Sequence, residues 1–259
     1  MQLEYFISGE SNKETLLFVH GAGANARQFA EQHTYFSGKF KVVSMSLRGH
    51  GASPLPVPNV KSSYILEEMA GDIMDLIEKL DLSHIHYVGN SAGGVLGYIV
   101  CTKRKEKFLS LTTFGTTGQM NLPTFAGSLV SGIDKWMIRL FKKGYLKLLA
   151  DYTGHDSESK EEIYQMFLQA TRAIPYVRAN LANYNFLEEI EYLPIPYHLI
   201  QCEFDKEINK TLKTTLMAIN KNPRAKIIFL AGAGHIANLD QPDAFNICLE
   251  KIITGLNEK

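Results

Sequence analysis

Ser91 is the side chain whose neighbours in the sequence best suit nucleophilic chemistry. It stands in the segment Gly-Asn-Ser-Ala-Gly, residues 89–93, between a predicted strand and a predicted helix. Glycines on both sides permit a sharp strand-to-helix turn, which would raise the serine hydroxyl above the edge of a sheet. Serine is also a favoured first residue of a helix, so a capping role is an alternative that the motif alone leaves open.

Asp205 and His235 are the candidate partners that a nucleophilic serine needs. A serine hydroxyl is a poor nucleophile unless a base removes its proton, and that base in turn needs an orienting carboxylate. Asp205 ends one predicted strand, and His235 follows the next one. Because the carboxyl ends of parallel strands meet at one edge of a sheet, we expect Ser91, Asp205 and His235 to converge there.

The segment His20–Gly23 follows a predicted strand and opens a helix, so its backbone N–H groups are predicted near the same edge. The N–H groups of Ala22 and Ala92 are the predicted oxyanion hole. A tight turn with a structural histidine is the plainer alternative. Residues 21–26 also match a dinucleotide-binding fingerprint, with Arg48 available for a 2′-phosphate. We disfavour that interpretation because it leaves the serine motif and its partners unexplained.

These residues must be positioned by the surrounding elements, which alternate between β-rich runs and amphipathic helices. The alternation predicts an α/β fold with a mostly parallel, doubly wound sheet. Strands are predicted around residues 3–8, 15–21, 41–47, 84–90, 108–115, 197–205 and 226–234. Residues 116–194 contain helical patterns and no convincing strand, which predicts an inserted helical lid. We therefore expect a core domain of residues 1–115 and 195–259, and a lid of residues 116–194.

Taken together, the motifs resemble those of the α/β-hydrolase superfamily over about residues 3–256. The matching segments are HGAGA, RGHGAS, GNSAGG, EFD, and GAGH followed by DQP. The resemblance implies an eight-stranded sheet with a lid inserted after the sixth strand, and it implies no metal or organic cofactor. The implied site comprises Ser91 as nucleophile, His235 as base, Asp205 as acid, and the Ala22 and Ala92 amides as oxyanion donors.

The nucleophile narrows the reaction that the resemblance implies. Dehalogenases and epoxide hydrolases of this fold need a carboxylate at the elbow, where this sequence has Ser91, so hydrolysis of a carboxylic ester or lactone through an acyl-enzyme is expected. Cys202 and the pair Ile208-Asn209 depart from the family pattern, and Glu203 is the alternative acid. Acyl transfer, thioester hydrolysis, C–C bond hydrolysis and a non-catalytic receptor role are alternatives, because the same residues serve all of them.

Composition excludes other classes of function. The 27 basic and 27 acidic side chains give a net charge of zero, whereas nucleic-acid-binding proteins usually show a basic excess. Three dispersed cysteines support neither a disulfide framework nor a zinc ribbon, and we find no signal peptide pattern or membrane span. We expect a cytoplasmic protein, a monomer or homodimer, that acts on a small apolar acyl ester.

The predicted lid contains many aromatic residues and a basic helix. The large apolar side chains include Met120, Phe125, Trp136, Phe141, Tyr145, Phe167 and Tyr176. Such residues line an acyl pocket or form the core of the lid, and the second interpretation is favoured. The cations of the helix are Lys135, Arg139, Lys142, Lys143 and Lys147. We expect this basic face to be solvated rather than to contact a membrane or an acidic substrate.

Overall fold

The computed structural model describes residues 1–257, which contain a seven-stranded central sheet and a separate two-stranded one. The strands are Tyr5–Ser8 (β1), Thr15–Val19 (β2), Lys41–Met45 (β3), Ile85–Asn90 (β4), Phe108–Phe114 (β5), Gln119–Asn121 (β6), Asn183–Asn185 (β7), Tyr197–Cys202 (β8) and Ala225–Leu230 (β9). Their order in the large sheet is β1-β3-β2-β4-β5-β8-β9. β1 is antiparallel to β3, and all other neighbouring pairs are parallel. The predicted α/β architecture is confirmed.

Eleven α-helices lie within the described residues. They are Ala30–Phe36 (α1), Leu66–Lys79 (α2), Ala92–Lys103 (α3), Ala126–Thr153 (α4), Ser157–Gln169 (α5), Ile174–Asn180 (α6), Leu187–Tyr192 (α7), Lys206–Thr211 (α8), Lys213–Lys221 (α9), Ala237–Asp240 (α10) and Pro242–Asn257 (α11). In this part of the chain no helix combines the length and the apolar character needed to cross a membrane.

The inner strands of the sheet are buried on both faces, which explains why β2 is a continuous apolar run, whereas the edge strands β1 and β9 are partly exposed. Leu17 and Val19 of β2 point into one core, which α2 and α3 cover. Leu16 and Phe18 point into the opposite core, where they are joined by side chains of α1 and α11. Because six strands run in the same direction, loops at their carboxyl ends form a common edge above these two cores.

The segment between β5 and β8 covers that edge. Helices α4, α5 and α6 form a third apolar cluster, which includes Phe167 and Ile174 and also contacts Ala24 and Ile236 from loops of the sheet domain. α7 instead packs against α3 and α9, with Ile190 in the first core. The division into a core of residues 1–115 and 195–259 and a lid of residues 116–194 stays a prediction.

Two expectations about strands are wrong. The expected absence of strands from residues 116–194 is contradicted by β6 and β7, which pair antiparallel. Each strand has three residues, and the paired residues are more than 60 positions apart in the sequence, so no local sequence pattern predicts them. The described residues also form a seven-stranded sheet with the insertion after the fifth strand, rather than eight strands with a lid after the sixth. One strand, β1, precedes β2 in the described residues, and Gly9, at φ 64°, begins the polar connection between them.

Candidate active site

Ser91 lies on a strained turn between β4 and α3. Its φ of 51° and ψ of −116° are unusual for a residue with a side chain. The glycines beside it are required sterically: a Cβ on Gly89 would lie 2.6 Å from the backbone of Gly93, and one on Gly93 would collide with the carbonyl of Val19. The Ser91 side chain makes no capping hydrogen bond to α3, so the capping alternative is wrong.

Asp205 and His235 are in direct contact at the carboxyl ends of β8 and β9. His235 Nδ1 lies 2.8 Å from Asp205 Oδ2, and Asp205 is only 5 % exposed. Burial lowers the pKa of His235, but the Asp205 carboxylate, with a smaller contribution from Asp240, raises it above its ordinary value overall. Glu203, the alternative acid, is exposed and accepts the N–H of Gly232 at 2.8 Å instead.

Ser91 and His235 line the same cavity, but among the described residues no hydrogen bond joins the serine hydroxyl to the histidine ring. Contacts of this kind are often long without a bound substrate. Asn90, beside the serine, donates from Nδ2 to the carbonyl of His235 at 2.9 Å and so ties the two loops together. Its Oδ1 faces Gln28 Nε2 at 3.3 Å. This link was not anticipated, although Asn90 lies inside the serine motif.

The residues of the predicted oxyanion donors lie close to Ser91, since Ala92 follows it directly and Ala22 lines the same cavity. A Cβ on Gly21 would be 2.8 Å from the Ser91 Cβ, which shows how closely the loop containing Ala22 passes the serine. Within residues 1–257, neither the Ala22 nor the Ala92 N–H has an internal acceptor. For Ala92 this follows from its position as the first residue of α3.

Two buried histidines hold this loop. His20 Nε2 accepts the N–H of Leu47 at 2.9 Å, and His50 Nε2 accepts the N–H of Gly23 at 3.1 Å. Both rings therefore carry their proton on Nδ1, which faces a backbone carbonyl in each case. Burial lowers the pKa of His50 to about 4 and that of His20 well below its ordinary value, so both rings are neutral at pH 7. The role of His50 was missed, although it lies in the RGHGAS motif.

The dinucleotide alternative fails at the same loop. A Cβ on Gly23 would lie 2.6 Å from the ring of Phe167, so the space above the glycines is occupied by the insertion. Arg48, the residue considered for a 2′-phosphate, is buried and donates from Nε to Asp72 at 2.6 Å. The described residues also contain no group of three or more His, Cys, Asp or Glu arranged to hold a metal ion.

A cavity of about 610 Å³ lies above the serine. Its walls include Ser91, Asp205 and His235, together with Gly21 and Ala22 of the loop that follows β2. The insertion contributes an apolar part of the lining, formed by Met120, Leu122, Val130, Leu149, Phe167, Ile174 and Leu181, and a polar part that includes Asp151, His155, Lys160 and Arg178. Met120 and Phe167 are thus lining residues, whereas Phe125, Trp136 and Phe141 are exposed and Tyr145 is buried within the insertion.

Asp240 connects the insertion to the histidine loop. One carboxylate oxygen accepts the N–H of Gly234 at 2.9 Å, and the other accepts the N–H of His155 at 2.8 Å and the hydroxyl of Ser159 at 2.6 Å. The start of α5 is thereby held against the residue that precedes His235. The sequence alone assigns no role to Asp240, although it begins the DQP segment.

Comparisons with known proteins agree with this architecture. The sequence model described as the Alpha/beta hydrolase family matches residues 16–246. The chain is 23 % identical to 3-oxoadipate enol-lactonase 2 of Acinetobacter baylyi, over 98 % of this chain and 94 % of the relative.

Two solved structures share the fold over nearly the whole chain. The enol-lactonase from Burkholderia xenovorans LB400 superimposes with a TM-score of 0.82 at 19 % identity, covering 97 % of this chain and 96 % of the other. A thermophilic esterase from Thermogutta terrifontis superimposes with a TM-score of 0.83 at 18 % identity, covering 98 % and 93 %. From the family match over most of its length and the shared fold, we conclude that the chain belongs to the alpha/beta hydrolase family.

Proposed function

We propose that this protein is a serine hydrolase that cleaves a small carboxylic ester or lactone through an acyl-enzyme on Ser91. The observation that carries the proposal is the contact of 2.8 Å between His235 and Asp205, at the wall of the cavity that Ser91 also lines. The relatives named as enol-lactonase and esterase support a hydrolase that acts on ester-type bonds.

In the first step His235 Nε2 accepts the proton of the Ser91 hydroxyl as its oxygen attacks the carbonyl carbon. The Asp205 carboxylate keeps the Nδ1 proton in place and stabilises the imidazolium that forms. The negative charge on the former carbonyl oxygen falls between the N–H groups of Ala22 and Ala92. Each such donor typically contributes about 3 kcal/mol to the stability of the transition state.

The tetrahedral intermediate then collapses, and His235 returns its proton to the leaving oxygen. From an ester this releases an alcohol, whereas from a lactone the new hydroxyl stays attached to the acyl group. A water molecule, deprotonated by His235, attacks the acyl-enzyme in the second half of the cycle. The carboxylic acid product leaves, and Ser91 recovers its proton.

Steady-state turnover of short and medium acyl esters and of five- and six-membered lactones tests the proposal. We expect turnover by the wild type, and a loss of at least about a thousandfold in kcat for Ser91→Ala and for His235→Ala. Hydrolysis that survives both substitutions would contradict the proposal. A single burst without turnover would instead indicate a receptor or a transferase without its acceptor.

A further inference from the structure

Helix α4 presents a stripe of large apolar side chains to the solvent. They are Phe125, immediately before the helix, and Leu129, Ile133, Trp136 and Leu140. Each is between 48 % and 67 % exposed. Successive members are three or four positions apart, so at 100° per residue they fit within an arc of about 80° on one face. Phe141 interrupts the helix at φ −132° and ψ 34°, and it is also exposed, beside the Trp136 ring.

The charges around this stripe are of one sign. The exposed cations of α4 are Lys135, Arg139, Lys142, Lys143 and Lys147. The helix has two acidic residues. Asp134 is buried on the opposite face, where it binds Arg178 and the Tyr145 hydroxyl. Asp151 is exposed, but it lies eleven positions beyond Leu140, about three helical turns, and lines the cavity. Among the described residues, none of the five cations forms an ion pair, and Lys135 lies over the Tyr176 ring at 4.2 Å.

We propose that this face of α4, the apolar stripe with its flanking cations, docks on the surface of a membrane that contains anionic phospholipid. An amphipathic helix of this kind buries its aromatic and aliphatic side chains at the boundary between headgroups and acyl chains, while Lys and Arg bind the headgroup phosphates. Tryptophan is enriched at that depth because its ring is amphipathic. A second copy of this chain fits the face poorly, because face-to-face pairing would oppose five cations to five cations.

The docking face lies close to the cavity, because Val130 and Leu149 of the same helix line the cavity wall. A docked protein would therefore hold the cavity next to the lipid surface, where apolar esters concentrate. The inference goes beyond the proposed hydrolase activity and does not depend on it, since lipid binding is measurable without turnover. It also departs from the solvated face that the sequence predicts.

Trp136 is the only tryptophan of the chain, so its emission reports directly on this face. The full-length protein is titrated with vesicles of phosphatidylcholine alone and with vesicles that contain 30 % phosphatidylglycerol. We expect a shift of the emission to shorter wavelength, and co-sedimentation, with the anionic vesicles only. Lys142→Gln combined with Lys143→Gln is expected to weaken this binding about 25-fold, because each cation near such a surface contributes about a factor of five.

Matched variants distinguish docking from nonspecific adsorption and from misfolding. Leu129→Ser with Leu140→Ser keeps the tryptophan and is expected to abolish co-sedimentation. Phe229→Ser, an exposed apolar residue on the edge strand β9, and Lys103→Gln with Lys105→Gln are expected to leave binding unchanged. All the substituted side chains are exposed, so circular dichroism is expected to show native folding for every variant.

Four outcomes would overturn the proposal. They are no shift with anionic vesicles, equal binding to both kinds of vesicle, equal loss in the control variants, and a shift that appears without vesicles as the protein concentration rises. The last outcome would assign the face to a second copy of this chain. If anionic vesicles give no shift and an acidic protein binds the face instead, the face belongs to a partner of that kind.

Discussion

At the scale of single residues, the roles proposed for Asp205 and His235 predict how activity depends on pH. In the proposed mechanism His235 must be unprotonated to accept the serine proton, so kcat/KM is expected to fall as the pH falls through the pKa of His235. The carboxylate raises that pKa, whereas burial alone lowers it. In Asp205→Asn we therefore expect the fall to move to lower pH, and the maximal kcat to drop by about 10⁴.

The matched control for this prediction is Glu203→Gln, two positions away on the same loop. Glu203 is exposed and contacts the Gly232 amide, so its loss is expected to change kcat by less than about twofold and to leave the pH profile in place. A pH profile that moves in Glu203→Gln and stays in place in Asp205→Asn would show that Glu203, and not Asp205, is the acid. Full pH profiles of both variants decide between the two residues.

His50 is expected to make the folded state sensitive to acid. Its pKa is about 4 in the folded protein against about 6.5 when unfolded, so the unfolded chain binds the proton first. Its contribution to stability is thus fully present above pH 6.5 and is lost as the pH falls toward 4. In His50→Gln, where an amide oxygen can still accept the Gly23 N–H, the loss of unfolding free energy between pH 7 and pH 5 should shrink by about 2 kcal/mol.

Urea unfolding of wild type and His50→Gln at the two pH values measures that difference. Equal losses in the two proteins would show that His50 does not remain neutral, or that its protonation is accommodated without cost. Because His20, His86 and His198 also have lowered pKa values from burial, the variant should retain part of the acid sensitivity.

At the scale of elements, Asp240 is the link between the insertion and the histidine loop. Replacing it by Ala leaves the buried N–H of Gly234 and the partly buried N–H of His155 without their acceptor, and the Ser159 hydroxyl keeps only the Asp156 carbonyl at 3.2 Å. Unsatisfied buried donors of this kind cost about 1–3 kcal/mol each, and relaxation reduces their sum, so we expect a loss of about 3 kcal/mol of unfolding free energy. We also expect a lower kcat, because the loop carrying His235 loses a support.

Asp243→Ala is the control for that prediction. Asp243 is exposed in the first turn of α11, so its loss should cost only about 0.3–1 kcal/mol through the helix dipole and should not change kcat. Unfolding in urea and steady-state kinetics on the same preparations provide both readouts. Equal losses in the two variants would contradict the role assigned to Asp240.

Elements with a strong local pattern could be predicted from the sequence, and elements made by distant pairing could not. β2 and β4 are apolar runs that end at glycine-rich turns, so their positions and the turn at Ser91 followed from local chemistry. β6 and β7 have three residues each and exist only because they pair with one another. The orientation of α4 could not be predicted either, because apolar residues occur both on its exposed face and on the face that contains Leu146 and Ala150.

At the scale of the whole molecule, the distribution of charged residues and the assembly of the proposed active site are two separate features. Equal numbers of acidic and basic residues cancel over the chain, yet α4 carries five exposed cations beside its apolar stripe. The residues of the proposed site could be predicted because the loops that follow parallel strands lie at one edge of the sheet. The supporting contacts of Asn90, His50 and Asp240 were not, since each depends on a partner brought near only by the complete fold.

The most direct test of the proposed acyl-enzyme chemistry is the rate and position of labelling by a fluorophosphonate. This reagent needs a serine that is activated by its base, so mass spectrometry of the intact protein is expected to show one adduct, which peptide mapping places on Ser91. Labelling should be absent in Ser91→Ala and at least about a thousandfold slower in His235→Ala. An adduct on another residue, or a labelling rate unaffected by His235→Ala, would contradict the account.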